Sequence, residues 1–223
     1  MTLTGGEAKF GIFGGELNWS TTVQMQVLTT DRVVSPDGHD IASVREALYL
    51  GGMVCCDGKA DSEISRRLGQ ATGLFRNLQQ VWSHASISTG RKLRIFEACV
   101  ITKLIYSLDS LWMLKADRAR LDAFQCRCLR RILRIQPSYF SRIANERVFE
   151  WARTARLSDR LLERQVSLYR TIAEQPGTIL NRLMFDDCGH PKTWNSKPKR
   201  GRPRQRWTKE VHRAMSNDIS RRS

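Results

Sequence analysis

Residues 117–137 read DRARLDAFQCRCLRRILRIQP, and the reading of the fold starts from them. Leu121, Phe124, Cys128, Ile132 and Ile135 recur at steps of three and four, which puts them on one face of a helix. Asp117 is placed to start that helix, and Pro137 ends it because proline cannot continue the hydrogen-bond ladder. Arg120, Arg127, Arg130, Arg131 and Arg134 are spaced by threes, fours and sevens. That spacing predicts a basic stripe on one flank, turned away from the apolar face.

The same periodicity extends in both directions. Upstream, Ser88 is a cap for a helix whose stripe runs Leu93, Phe96, Val100, Leu104, Leu108 and Leu111. Before it, Asp61 caps a helix carrying Ile64, Leu68, Ala71, Phe75, Leu78 and Trp82 inward. Gly69 and Gly73 lie one turn apart, which leaves room for close helix packing and otherwise costs helix stability. Downstream, helical patterns cover 141–153 and 157–174, and Gln175-Pro176-Gly177 breaks the second. Trp82, Trp112 and Trp151 fall within helical patterns and are expected in the core.

Residues 1–60 have another character. Short apolar runs are broken by turn signals at Pro36-Asp37-Gly38 and Asp57-Gly58. Val23–Leu28 reads as a strand, and Leu48-Tyr49-Leu50 as a strand ending in a bend at Gly51-Gly52. After Asp186, residues 188–207 read CGHPKTWNSKPKRGRPRQRW, which predicts an extended basic linker before a short helix from Trp207 to Met215. The fold class is mainly α: a helical bundle preceded by a small antiparallel β corner and followed by a basic extended tail. The boundaries are 1–60 for the β corner, 61–185 for the helices and 186–223 for the tail.

The chain has 223 residues, with 37 Lys and Arg against 22 Asp and Glu, a formal net charge of +15. That balance predicts a polyanionic partner, nucleic acid before an anionic membrane surface. Glu97, Lys103 and Asp109 interrupt the most apolar segment, 95–114, so no membrane partner is expected. The N-terminus does not read as a secretory signal, which predicts an intracellular protein of the nucleus or cytoplasm. The six cysteines are expected as reduced thiols, with no metal site. Cys188-Gly-His190 is too close for an ordinary ligand pair. The histidines are scattered, and no set of residues has catalytic spacing.

Several segments, in order, resemble the polymerase of non-LTR (LINE-type) retrotransposons, a reverse transcriptase. Glu16 to Met25 is similar to a palm segment of the form L-N-x-x-K-T-x-x-M. Tyr49-Leu50-Gly51 followed by Asp57-Gly58 is similar to Y-L-G … D-G. Glu63-Ile64-Ser65-Arg66-Arg67 resembles E-I-x-x-R-I, and Leu93 to Phe96 and Leu104 to Tyr106 resemble segments of its thumb region. Arg120 to Leu133 resembles R-L-x-x-F-x-x-x-C-L-R-R-I-L, and Gly201 to Trp207 a closing G-R-P-x-x-R-W. Residues 1–60 would then be the end of a palm, and 61–185 a thumb or connector.

The resemblance implies a primer grip at Tyr49, Leu50, Gly51, Asp57 and Gly58. It implies a surface for RNA template and DNA primer that includes Arg127, Arg130, Arg131 and Arg134. It also implies an upstream palm as a partner. The family's aromatic-x-Asp-Asp motif precedes the Leu-Asn segment, a place that here falls before Met1. The chain is therefore expected to be catalytically incomplete by itself, with no catalytic residue of its own and no bound cofactor. Magnesium is expected only in a complete parent polymerase. Thr21 stands where the family has lysine. Asp186-Asp187 follows Met184-Phe185, lacks the aromatic at 184, and is expected to be a capped or solvated loop.

Lys199-Arg200-Gly201-Arg202-Pro203-Arg204, with Arg206 beyond, resembles an AT-hook core, in which arginines lie in a narrow minor groove. Trp194 and Trp207 are candidates for stacking on bases or for packing on the bundle. Two alternatives stand beside the polymerase fragment. One is a free-standing protein that binds duplex DNA through this tail. The other is a non-functional translated remnant of a retroelement.

Overall fold

The computed structural model describes residues 18, 21–26, 34–35, 38–192 and 207–222, with side chains of the last helix through 216. The chain divides into two compact units, Met1–Glu63 and Ile64–Ser223. It is mainly helical, with a small antiparallel sheet near the N-terminus.

In the first unit, β1 (Val23–Gln24) pairs with β2 (Ala42–Ser43) in parallel. The run predicted as a strand to Leu28 is this two-residue piece, and residues 27 and 28 lie outside the described set. A bond from Gly38 N–H to Ser35 O closes the predicted turn, with Gly38 at φ +82°. β3 (Glu46–Tyr49) and β4 (Gly52–Cys55) form an antiparallel hairpin in which Leu48 faces Met53 and Tyr49 faces Gly52. Leu50 and Gly51 make its two-residue loop with φ of +48° and +81°. Positive φ at both central residues suits the right-handed twist of the flanking strands. Glycine adopts it freely, whereas Leu50 holds it under strain. Ser62 Oγ donates to Glu46 Oε1 at 2.5 Å, and Met53 N–H donates to Glu63 Oε2 at 3.0 Å. These two bonds tie the hairpin to the residues that open the first helix.

That helix, α1, spans Asp61–Asn77 and is followed by α2, Gln79–Ser83. Ile64, Ala71, Phe75 and Trp82 are buried, as the periodicity predicts. Gly69 and Gly73 are exposed, and a Cβ at either would meet open space. Among the described residues nothing packs closely there, which leaves the two glycines as a cost to the helix. α3 (Thr89–Phe96) begins where Ser88 Oγ accepts from Arg91 N–H. It continues without a break through a π-helical stretch, Glu97–Ile101, into a last turn, α4 (Thr102–Leu104). The wider turn buries Val100 and Ile101 together, and Leu104 and Ile105 after them.

α5 (Lys115–Ile132) is the axis of the second unit. Asp117 lies inside its first turn, and its Oδ2 accepts from Leu114 N–H at 3.2 Å. The helix ends three residues before the predicted Ile135. Arg134 is left-handed at φ +58°, and Ile135 N–H returns to Arg130 O at 2.8 Å. Pro137 then opens a single turn, α6 (Ser138–Ser141), followed by α7 (Asn145–Ala152). Trp151, expected in the core, is 52% exposed on α7, where Val148, Phe149 and Ala152 take the inner face.

α8 (Leu157–Ala173) is fastened to α5 by side chains that satisfy its open end. Leu157 N–H donates to Gln125 Oε1 at 2.9 Å, and Ser158 N–H donates to Asp122 Oδ1 at 2.9 Å. Gln125 Nε2 donates to Ala155 O at 3.0 Å, so the buried amide is used at both ends. Gly177 at φ +87° turns the chain into α9 (Ile179–Met184). α10 (Trp207–Arg222) packs Val211 against Tyr169, Ile172 and Phe185. Among the described residues no helix is long and apolar enough to cross a membrane.

Candidate nucleic-acid interface

The arginines of α5 separate into two groups. Arg127 and Arg131 are exposed and donate to no protein acceptor among the described residues. Arg120 lies on the same edge, half-buried. It pairs with Asp117 at 3.5 Å, and its Nη2 donates to Ser65 Oγ at 2.8 Å. Arg134, beyond the helix end, is exposed and its Nη2 donates to Ser83 O at 3.3 Å.

Arg130 does not belong to this stripe. It is 7% exposed. Its Nη1 donates to Gln136 O at 3.1 Å and to Ser141 Oγ at 3.4 Å. Its Nη2 donates to Ile143 O at 2.6 Å and to Asn145 Oδ1 at 2.9 Å. One residue of a helix turns the side chain by about 100° relative to its neighbour. That rotation takes Arg130 under the chain that folds back after Pro137, while Arg131 stays in solvent. The assignment of Arg130 to a ligand-facing stripe is therefore corrected: its guanidinium holds the 136–145 segment.

Cys128 lies beneath the exposed pair. Burial pushes its thiol up to about 12 from 9.0, although Arg127 and Arg131 nearby pull the other way. The folded state thus keeps a proton that the unfolded chain releases near pH 9. Its stabilising effect is full below pH 9 and is lost as pH rises towards 12. The expected slope is about 1.4 kcal/mol per pH unit within that window. Urea titrations of the wild type and of Cys128→Ala between pH 9 and 11 check this. The wild type should lose stability faster, and parallel curves would refute the burial argument.

The grip-like residues sit on the first unit's hairpin. Tyr49 and Leu50 are exposed at its tip beside Leu48, with Leu50 at 78%. Gly51 completes the loop. Asp57 and Gly58 form a separate turn in which Asp57 Oδ1 accepts from Lys59 N–H at 3.0 Å. Hydrogen bonding from Lys59, whose Nζ is 2.8 Å from Asp57 Oδ2, holds the Asp57 carboxyl below its ordinary value. Thr21, at the position of the family's lysine, donates its hydroxyl to Asn18 O at 3.2 Å.

Lys199, Arg200, Gly201, Arg202, Pro203, Arg204 and Arg206 lie outside the described residues, as does Trp194. Trp207 packs on the bundle. Its Nε1 donates to Asp109 O at 3.0 Å, and its ring lies 6.3 Å from that of Tyr169. Asp186 closes a turn by accepting from Cys188 N–H and His190 N–H at 3.0 and 2.8 Å, and Asp187 is exposed. None of the six thiols is bonded to another.

The sequence reading passed over Tyr139 and Phe140. Both are 69% exposed on α6, with ring centroids 4.3 Å apart. The signal was present: two aromatics follow a helix-ending proline and are flanked by Ser138 and Ser141.

Comparison with protein-family models, with curated proteins and with solved structures finds no match to this chain.

Proposed function

We propose that this chain is a nucleic-acid-binding part of a non-LTR retrotransposon reverse transcriptase, holding template and primer for a palm that carries the chemistry. The observation that carries the reading is the exposed, unengaged pair Arg127 and Arg131. They stand one helical turn apart in a stretch, Ala123 to Asn145, that has five arginines and no carboxylate. Two guanidinium groups at that spacing match the phosphates of a nucleic-acid backbone, where each contact releases condensed counterions. The order of family-like segments from Glu16 to Trp207 supports a polymerase origin, and the hairpin with Leu48, Tyr49 and Leu50 at its tip suits a grip. An intracellular site of action, nuclear or cytoplasmic, goes with this reading.

Binding to a template–primer duplex across a salt series tests it. Arg127→Ala/Arg131→Ala should weaken binding and reduce the slope of log K against log salt by about two. An unchanged slope would remove the pair from the interface. The purified 223 residues should bind without extending the primer in magnesium. The polymerase origin has its own test in the transcript upstream of Met1. An open frame there with an aromatic-x-Asp-Asp motif makes the chain a piece of such a polymerase, and a promoter and stop codon leave a palm-less protein whose DNA binding through the basic tail is then measured.

A further inference from the structure

We propose that Tyr139 and Phe140 form a stacking platform for unpaired bases, so that the chain grips single-stranded nucleic acid beside the α5 arginines. The proposal rests on the nucleic-acid reading above and names the ligand class within it.

Two large rings side by side, 69% exposed each, are an apolar surface that the described residues leave uncovered. Their segment is nevertheless built to stay in place. Arg130 fastens it at Gln136 O, Ser141 Oγ, Ile143 O and Asn145 Oδ1. Phe140 N–H donates to Pro137 O and Arg142 N–H to Ser138 O, both at 3.0 Å. A buried arginine thus presents the two rings on a fixed turn, so that a ligand need order only the side chains and not the backbone beneath them.

The surrounding charge selects the occupant. Arg131 and Arg134 stand at the end of α5, from which the segment hangs, and Arg142 follows Phe140 by two residues. All three are exposed. A ligand that offers flat apolar faces and regular negative charge together is a nucleotide chain. A duplex keeps its base faces stacked and offers only its phosphates. A single strand offers both, and base–aromatic stacking tolerates any sequence. The rings therefore respond to strandedness, and Arg127 and Arg131 to phosphate alone.

Fluorescence anisotropy on the full chain tests this with a labelled mixed-sequence strand and the same strand in a blunt duplex. Tyr139→Ala/Phe140→Ala should lose about ten- to a hundredfold in affinity for the single strand and less than about twofold for the duplex. Tyr139→Phe/Phe140→Tyr should restore single-strand binding. The thermal midpoint of the alanine pair should stay at the wild-type value, because neither ring is packed in the core. Unchanged single-strand affinity, or equal losses on both ligands, overturns the platform while leaving the arginine interface standing. If the wild type binds neither ligand, the nucleic-acid reading fails and the platform with it.

Discussion

Arg130→Ala is expected to lower the unfolding free energy by about 3 kcal/mol, which is a fall of roughly 6–12 °C in Tm for a chain of this size. The substitution removes the donors for two backbone carbonyls, a hydroxyl and the Asn145 amide oxygen, in a part-buried setting. Asn145 Oδ1 and Ser141 Oγ keep the Cys126 thiol and Ile143 N–H, but the Gln136 and Ile143 carbonyls lose their donor and bear the desolvation penalty that makes such losses large. Lysine should recover little, because one ammonium cannot reach four acceptors arranged around a planar fork. Arg127→Ala, from an exposed site one turn away, should stay within about 0.5 kcal/mol of wild type. Thermal and urea unfolding of the three variants decide it. Equal stability of Arg130→Ala and Arg127→Ala would mean that Arg130 does not hold the 136–145 segment.

Trp82→Ala should cost about 4 kcal/mol, near the upper end for removal of a buried aromatic. Trp82 is 2% exposed and stacks on Phe75 at 5.0 Å, and Phe96 meets it edge-on at 6.4 Å. Its Nε1 donates to Phe75 O at 2.8 Å, which satisfies a carbonyl at the end of α1. Lys92 Nζ donates to the Trp82 carbonyl at 2.9 Å, so a buried ammonium borders the space the ring would leave. Trp82→Phe keeps most of the contact and loses the indole bond, so about 1–2 kcal/mol separates it from wild type. Urea midpoints at constant m-value measure both. A cost under about 1 kcal/mol for the alanine variant would show that the Phe75–Trp82–Phe96 cluster is not a core.

Much of this was legible in the residues. The stripe from Ile64 to Trp82 and the cap at Ser88 each follow from one local rule, and each is where that rule puts it, whereas the helix expected to run to Pro137 already ends at Ile132. What was not legible depends on chain far from the residue in question. Spacing alone put Arg130 with its neighbours, but a segment returning after Pro137 covers it. Trp151 has helical spacing like Trp82, yet α7 turns its other face inward. The π-helical stretch after Phe96 lets the apolar stripe keep its direction, and no pattern of threes and fours announces it. The parallel pairing of β1 with β2 is a long-range choice between strands of two residues. On the site, the arginines were visible as charge, while the aromatic pair at Tyr139 and Phe140 became visible only through its exposure.

α10 brings the end of the described chain back onto α8. Lys192 N–H donates to Met184 O at 2.8 Å, and Trp207 and Val211 are packed against the α8 side of the bundle. Lys192 and Trp207 are thus each fixed to the helical unit. Seating of α10 and order at the end of α8 are therefore linked equilibria, and whatever unseats Val211 is felt at Tyr169 and Ile172.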